Sequence, residues 1–327
     1  MLTDGFNRVH DYLRISLTDR CNLRCSYCMP DDLPKGFFAN APKMSAEEIE
    51  NISAVFINLG VKKIRLTGGE PLLRKDFKEI IHRLSSHPAE LAITTNGVFI
   101  DEYIDALINA KVKSVNVSLD TLSKGKFFSI TKRDFFHRVM DNIHLLLKNN
   151  FHVKVNVVLM KGMNADEILD FIALTENLPL HIRFIEFMPF RGNRWDKGKM
   201  ISMSESLEKI RTRYNVVKLN DKIQDTAKKY CIPDHAGTFA FISTISNPFC
   251  EGCNRIRLTS DGKLRNCLFA KSEIDILTQF RNGEDITQLI RSSVCKKEFM
   301  QGGREDLNSI DSELEYPSTR CMVSIGG

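Results

Sequence analysis

No uninterrupted apolar stretch in this 327-residue chain approaches the roughly 20 residues that a bilayer-spanning helix needs, so no membrane partner is expected. The first residues, Met1-Leu2-Thr3-Asp4-Gly5-Phe6, carry neither a basic start nor an apolar run, and a secretory leader is not expected. Internal repeats and low-complexity tracts are also missing. The net charge is only +5, too mild an excess to suggest nucleic acid but compatible with an anionic small substrate. With 43% hydrophobic and 27% charged residues, the composition is that of an ordinary globular protein of one large or two modest domains. The expected compartment is the cytoplasm, where nine cysteines are poor candidates for disulfides.

Six of those cysteines fall into two sets, while Cys231, Cys295 and Cys321 are isolated and default to small apolar or free thiols. Cys21, Cys25 and Cys28 are spaced C-x3-C-x2-C with Tyr27 directly before the last. Thiolates this close can converge on one soft centre, and three ligands on a four-iron cube leave one iron open to a small molecule. A trithiolate zinc site completed by a distant histidine, or free buried thiols, are the alternatives. In the second set, Cys250 and Cys253 are followed by Cys267 with thirteen residues between, which also fits a zinc ribbon lacking one cysteine. Arg255 and Arg257 share strand parity just after it and could hold an anion and a purine edge, or be solvated surface arginines.

From Tyr12 up to the second set the chain alternates strands with helices. Tyr12–Leu17, Lys63–Thr67, Leu91–Thr95, Ser114–Leu119, Val153–Leu159 and His181–Phe187 read as strands. Helices are expected after a capping box at Ser45-Ala46-Glu47-Glu48, and around 75–86, 101–109, 134–149, 164–176 and 204–213. This order implies right-handed βαβ units and a parallel sheet. Arg14 and Ser16, Arg65 and Thr67, Thr94, Asn116 and Ser118, and Lys154 and Asn156 take the parity opposite to the apolar residues. A sheet covered by helices on both faces would be apolar on both. One polar face favours an incomplete barrel with a ligand-holding lumen and sites at the strand C-termini. Thr67-Gly68-Gly69-Glu70-Pro71 lies at one of these ends, where paired glycines allow close backbone approach, and carbonyls with a carboxylate suit an ammonium.

The cysteine signature with Tyr27, followed one βα unit later by Gly68-Gly69-Glu70, resembles the radical S-adenosylmethionine (SAM) superfamily. That resemblance implies a [4Fe–4S] cluster on Cys21, Cys25 and Cys28 whose open iron is chelated by SAM. SAM would then be cleaved to a radical that abstracts hydrogen from substrate. The similarity narrows to the GTP 3',8-cyclases of molybdenum cofactor biosynthesis. It runs through Tyr12–Cys21, Arg65–Pro71, Val117–Asp120, Val153–Asn156, Arg183–Pro189, Phe249–Arg257 and the terminal Ile325-Gly326-Gly327. It implies a partial (β/α)6 barrel over 1–225, and a region over 226–327 that closes the barrel and carries a second [4Fe–4S] cluster on Cys250, Cys253 and Cys267.

By matching motif, Arg14, Arg65, Thr94, Lys154, Arg255, Ile256 and Arg257 would contact GTP, with Arg183 as a further basic lining residue. Tyr27, Gly69, Ser118 and Met188 would contact SAM. Arg255, Arg257 and the Gly326-Gly327 tail, expected to insert into the lumen, would join the first cysteines in catalysis. The implied reaction converts GTP to 3',8-cyclo-GTP. It needs an external electron donor and feeds a separate cyclic pyranopterin monophosphate synthase; a homodimer is compatible with the sequence. The chain departs from the family at Cys231, where a basic residue is usual. The rival readings are a peptide-modifying radical SAM enzyme with an auxiliary cluster, which would generally need more cysteines, and a non-enzymatic iron–sulfur or zinc module, which would need neither Gly68-Gly69-Glu70 nor a basic lumen.

Overall fold

Alternation in each strand divides one sheet into an apolar face and a polar face. In the computed structural model, which describes residues 1–29, 43–303 and 320–326, six parallel strands follow in sequence order: β1 (Tyr12–Ser16), β2 (Lys63–Thr67), β3 (Glu90–Thr95), β4 (Ser114–Ser118), β5 (His152–Leu159) and β6 (His181–Glu186). Their apolar parity, including Leu13, Ile15, Ile64, Ile93, Val115, Val155 and Ile182, is buried in one core with the inner faces of the crossover helices. Those helices are α1 (Ala46–Asn58), α2 (Phe77–Ser85), α3 (Ile100–Asn109), α4 (Lys124–Thr131), α5 (Phe136–Lys148) and α6 (Ile168–Asn177).

The expected capping box starts α1: the Glu48 amide donates to Ser45 Oγ at 3.1 Å, and the Ser45 amide to Glu48 Oε2 at 2.7 Å. Three α-helices among the described residues escape the sequence reading, one of them between the strands of the barrel and two near the C-terminus. Ser123 caps α4, and Lys132 ends it in the left-handed conformation at φ 58°, so the region before α5 is a separate helix.

The C-terminal part extends the same sheet across the expected 225/226 boundary. After α7 (Met203–Arg211), β7 (Val217–Lys218), β8 (Lys228–Cys231) and β9 (Thr238–Ile242) build onto β6, with β9 parallel to it. The chain then passes to the other edge, where β10 (Arg255–Leu258) runs parallel to β1, followed by antiparallel β11 (Lys263–Arg265) and β12 (Ile274–Asp275). Helices α8 (Ile276–Arg281) and α9 (Thr287–Cys295) complete it. The order β12-β11-β10-β1-β2-β3-β4-β5-β6-β9-β8-β7 is a partial barrel lengthened at both edges; among the described residues β9 and β10 do not pair, so no strand ladder closes it. No helix among the described residues is long and apolar enough to cross a membrane.

Candidate active site

The loop after β1 carries the first cysteine set, and neighbouring backbone holds it in place. The Arg24 amide donates to Thr131 O at 2.9 Å and the Ser26 amide to Ile130 O at 3.3 Å, so the loop satisfies carbonyls at the end of α4. Beside it, the Gly69 amide donates to Thr18 O at 2.6 Å and the Glu70 amide to Arg20 O at 2.8 Å. A Cβ on Gly69 would lie 2.4 Å from Arg20 O, and one on Gly68 2.6 Å from Thr18 O. The glycine pair is therefore required for two backbones to meet.

Glu70 differs from its expected use. It is fully buried, accepting from the Leu72 amide at 3.1 Å, the Thr95 hydroxyl at 2.8 Å and the Asn96 amide at 2.7 Å. Its carboxylate staples the turn to the end of β3 rather than presenting itself to a ligand, and burial pushes its pKa up to about 7. Asn96 in turn donates to Asn22 Oδ1 at 2.7 Å.

Tyr27 donates to Asp120 Oδ2 at 2.7 Å, which aims the ring from the cysteine loop towards the ends of β4 and β5. Burial lifts Asp120 to about 6 despite that bond and a second from the Val158 amide. Burial also pushes the Cys21 thiol up to about 11, and Cys25 and Cys28 well above the ordinary thiol range.

The polar parity forms one continuous lumen wall. Register aligns Arg14 with both Arg65 and Arg257, Thr94 with Asn116, Asn116 with Lys154, Asn156 with Arg183, and Tyr12 with Arg255. Arg14, Arg65, Lys154, Arg183, Arg255 and Arg257 thus share one face. The Arg65 guanidinium is fixed by Tyr12 Oη and by Ile93 O at 2.8 Å, and Arg183 by Asn156 Oδ1 at 2.6 Å.

Crowding shows in the acid–base behaviour. Burial and neighbouring cations bring Lys154 down to about 8 and Arg183 to about 9. Burial pushes the Tyr12 phenol up, but Arg65, Arg14 and Lys63 outweigh it and bring it to about 7. Tyr12 was not anticipated, although its parity with Arg14 was a usable signal. Ser16 Oγ, Asn116 Oδ1 and Arg183 Nε are buried without a hydrogen-bond partner, as expected of walls built for a polar ligand.

At the opposite ends of these strands, topology assembles the second cysteine set. Cys250 and Cys253 precede β10, and antiparallel β11 brings Cys267 back beside them. A Cβ on Gly252 would meet Ile223 O at 1.7 Å, so this loop also depends on a glycine. Burial pushes Cys253 up, but Arg255 and Lys297 outweigh it and hold the thiol down at about 6. Lys297, which the sequence did not single out, reaches Cys253 Sγ at 3.2 Å.

At the first-set end lies the C-terminal tail, with Cys321 and Val323 packed against Cys21 and Cys28. Ile325 is buried in an apolar patch with Phe187, Phe190 and Trp195, against which Tyr27, Met188 and Met322 pack. Arg257 donates to Gly326 O at 2.7 Å. Gly326 has φ 81°, and a Cβ there would lie 2.6 Å from Thr67 Oγ1 and 3.0 Å from Ser16 Cβ, so the tail passes the ends of β1 and β2. Gly327 lies outside the described residues.

The remaining expected positions scatter more. Ser118 ends β4 in register with Asn156, and Met188 O accepts from Asn193 at 2.8 Å. Thr94 Oγ1 is 3.5 Å from Arg65. The Ile256 side chain is fully buried in the helix-facing core, leaving only its backbone for the lumen. All nine cysteines are free thiols. Cys231 pairs with Val217 in the edge hairpin, Cys295 is exposed, and Cys321 is buried against Cys21 and Cys28.

The donor chemistry at each end, three thiols per set with the first partly buried in an apolar setting, suits a thiolate-held cluster. Among the described residues no three His, Cys, Asp or Glu side chains converge on a single ion. A four-iron cube takes one thiolate per iron and needs its sulfurs spread over separate metals.

Residues 15–175 match the model of the radical SAM superfamily, and residues 180–301 that described as Molybdenum Cofactor Synthesis C. The chain is 39% identical to the GTP 3',8-cyclase of Desulforamulus reducens over 100% of both chains. It is 41% identical to the mitochondrial GTP 3',8-cyclase of Arabidopsis thaliana over 100% of this chain and 84% of that one. It belongs to the GTP 3',8-cyclase family of radical SAM proteins. Molybdenum cofactor biosynthesis protein 1 of Mus musculus is 45% identical over 99% of this chain, which spans only 51% of that relative's length. About half the length of such relatives is therefore covered. The fold also resembles the crystal structure of Streptococcus suis SuiB, with TM-score 0.63 and 17% identity over 87% of this chain and 66% of that one.

Proposed function

We propose that the chain converts GTP to (8S)-3',8-cyclo-7,8-dihydroguanosine 5'-triphosphate, the first step of molybdenum cofactor biosynthesis. The observation that carries this reading is the row of six basic side chains on one lumen face between two cysteine sets. From the Tyr12 layer to the Ser16 layer the strand rises about 13 Å, a span suited to a nucleotide. Bound at their thiols, the [4Fe–4S] cluster of Cys21, Cys25 and Cys28 with SAM would supply a hydrogen-abstracting radical, and that of Cys250, Cys253 and Cys267 an open iron for guanine.

The chain's own residues do the rest. Lys154 and Arg183 on β5 and β6, with Arg65 and Arg14, neutralise the triphosphate; Arg255 and Arg257 hold the nucleoside end beside the second set. Tyr27, held by Asp120, and the backbone at Gly69 and Met188 bound the SAM end, with Ser118 beside them. The buried tail excludes water above the lumen and leaves Gly326 where only a Cβ-free residue fits. An external reductant supplies the electron, a separate synthase takes the product to cyclic pyranopterin monophosphate, and reduced thiols suit the cytoplasm. The names of the Desulforamulus and Arabidopsis relatives support the same substrate.

Anaerobic reconstitution with iron, sulfide, SAM, GTP and a reductant tests the reading. It should give 5'-deoxyadenosine together with a cyclised nucleotide. SAM cleavage that leaves GTP intact would refute the proposed substrate.

A further inference from the structure

We propose that Lys297 is a positioning residue for the second cysteine set, its ammonium serving as counter-charge to the thiolate-bound cluster and setting that cluster's reduction potential. The inference rests on the cluster reading of Cys250, Cys253 and Cys267.

Lys297 lies just past α9 and is only 3% exposed. Its Nζ stands 3.2 Å from Cys253 Sγ, 2.8 Å from Arg255 O and 3.5 Å from His10 Nδ1. Three acceptors use the three protons of an ammonium. The third acceptor is organised from the other end of the chain. His10 Nε2 lies 2.9 Å from Asp4 Oδ2, and since a carboxylate accepts, that nitrogen carries the proton and Nδ1 is left to receive Lys297. Asp4 also pairs with Arg8 at 2.6 Å, and Arg8 donates to Cys250 O at 2.7 Å. The N-terminal turn therefore braces one cysteine of the set and aims a cation at another.

A buried ammonium is costly unless an opposite charge faces it. Among the described residues no carboxylate forms an ion pair with Lys297, and the groups able to carry negative charge beside it are Cys253 and Cys267. The counter-charge facing the ammonium is thus the thiolate pair, and with it any cluster that the pair holds. A fixed cation hydrogen-bonded to a ligating sulfur favours the more negative, reduced cluster, so it raises the reduction potential.

The full-length chain with Cys21, Cys25 and Cys28 replaced by Ala isolates the second cluster for an EPR-monitored redox titration after anaerobic reconstitution. Lys297→Met should keep the iron content and favour the oxidised form about tenfold, a fall of about 59 mV for one electron. Lys297→Arg should titrate near the parent. If Lys297→Met and the parent share one potential, the inference fails. Should Lys297→Met lose the cluster altogether, retention by Lys297→Arg supports the counter-charge, and loss by both assigns the residue to packing and overturns it. Absence of any iron–sulfur signal in the parent of this series would instead remove the cluster reading itself.

Discussion

The two cysteine sets sit at opposite ends of one lumen and are held in opposite ways. The first comes from a single loop, anchored by backbone bonds to α4 and to the glycine turn, with the carboxylates of Glu70 and Asp120 buried nearby. Those surroundings push its thiols up. The second is assembled from separate stretches and braced by Arg8, Arg255 and Lys297, of which Arg255 and Lys297 outweigh burial and bring Cys253 down to about 6. Acidic and apolar surroundings suit the sulfonium and ammonium of SAM, whereas a cationic end suits an anionic nucleotide. On the proposed reading, this contrast would separate two ligands of opposite character along one axis.

If the ends are independent, they should fail independently. Replacing Cys21, Cys25 and Cys28 by Ala should abolish SAM cleavage and leave about four irons per chain, since each cube is held by its own thiolates. Metal analysis after anaerobic purification checks this, and one zinc in place of the remaining iron would refute the reading of the second set. The next largest effect should come from the tail that packs at the first-set end and is held by Arg257. Deleting Gly326 and Gly327 should lower cyclised product at least tenfold while iron content and the binding of SAM and GTP stay close to the parent. Turnover at the parent rate would reduce the tail to a passive end.

The same contrast explains what the sequence made legible. The first set and the lumen wall are local patterns: a loop of eight residues, and a two-residue period that any strand register preserves. Arg14, Arg65, Asn116 and Lys154 could therefore be placed on one face before any pairing was known. What escaped depends on contacts between distant segments. Nothing near Lys297 announces Asp4 and His10 nearly 300 residues earlier, and Arg255–Leu258 is too short a strand to reveal that it runs beside β1. Glu70 was misread because motif position does not say which way a carboxylate turns; its three hydrogen bonds do. Ile256 was read with its arginine neighbours, yet alternation sends its side chain into the core.

At the cationic end, Arg255→Ala or Arg257→Ala should weaken GTP binding roughly ten- to a hundredfold through loss of a charge-assisted contact, with SAM binding nearly unchanged. Arg257 should show the larger effect on product formation, because it also holds Gly326 O. Replacement by Lys should rescue poorly where both arms of the guanidinium are used. Calorimetry under nitrogen checks both; unchanged GTP affinity in both variants would return these arginines to a structural role.

The smallest expected effect sharpens the comparison most directly, because it reads the lumen's charge rather than a contact. Burial first, then repulsion from Arg183, Arg65 and Lys63, brings Lys154 to about 8, against about 10.4 for a free lysine. In the nucleotide-free fold the ammonium is thus lost as pH rises through about 8, while the unfolded chain keeps it to higher pH. Between those values the unfolded state binds more protons, so this group makes stability rise with pH. A triphosphate reverses the preference by pairing with the ammonium, and above pH 8 binding should take up a proton. GTP affinity should therefore fall severalfold, at most about tenfold per pH unit, as pH rises above 8. Tyr12, brought to about 7 on the same wall, would add repulsion one unit lower, and Tyr12→Phe removes that contribution. Lys154→Arg keeps its charge, so its affinity should be flatter between pH 8 and 9.5 than the parent's in the Tyr12→Phe background. Equal slopes in the two proteins would place the titrating group elsewhere and leave Lys154 a neutral part of the wall.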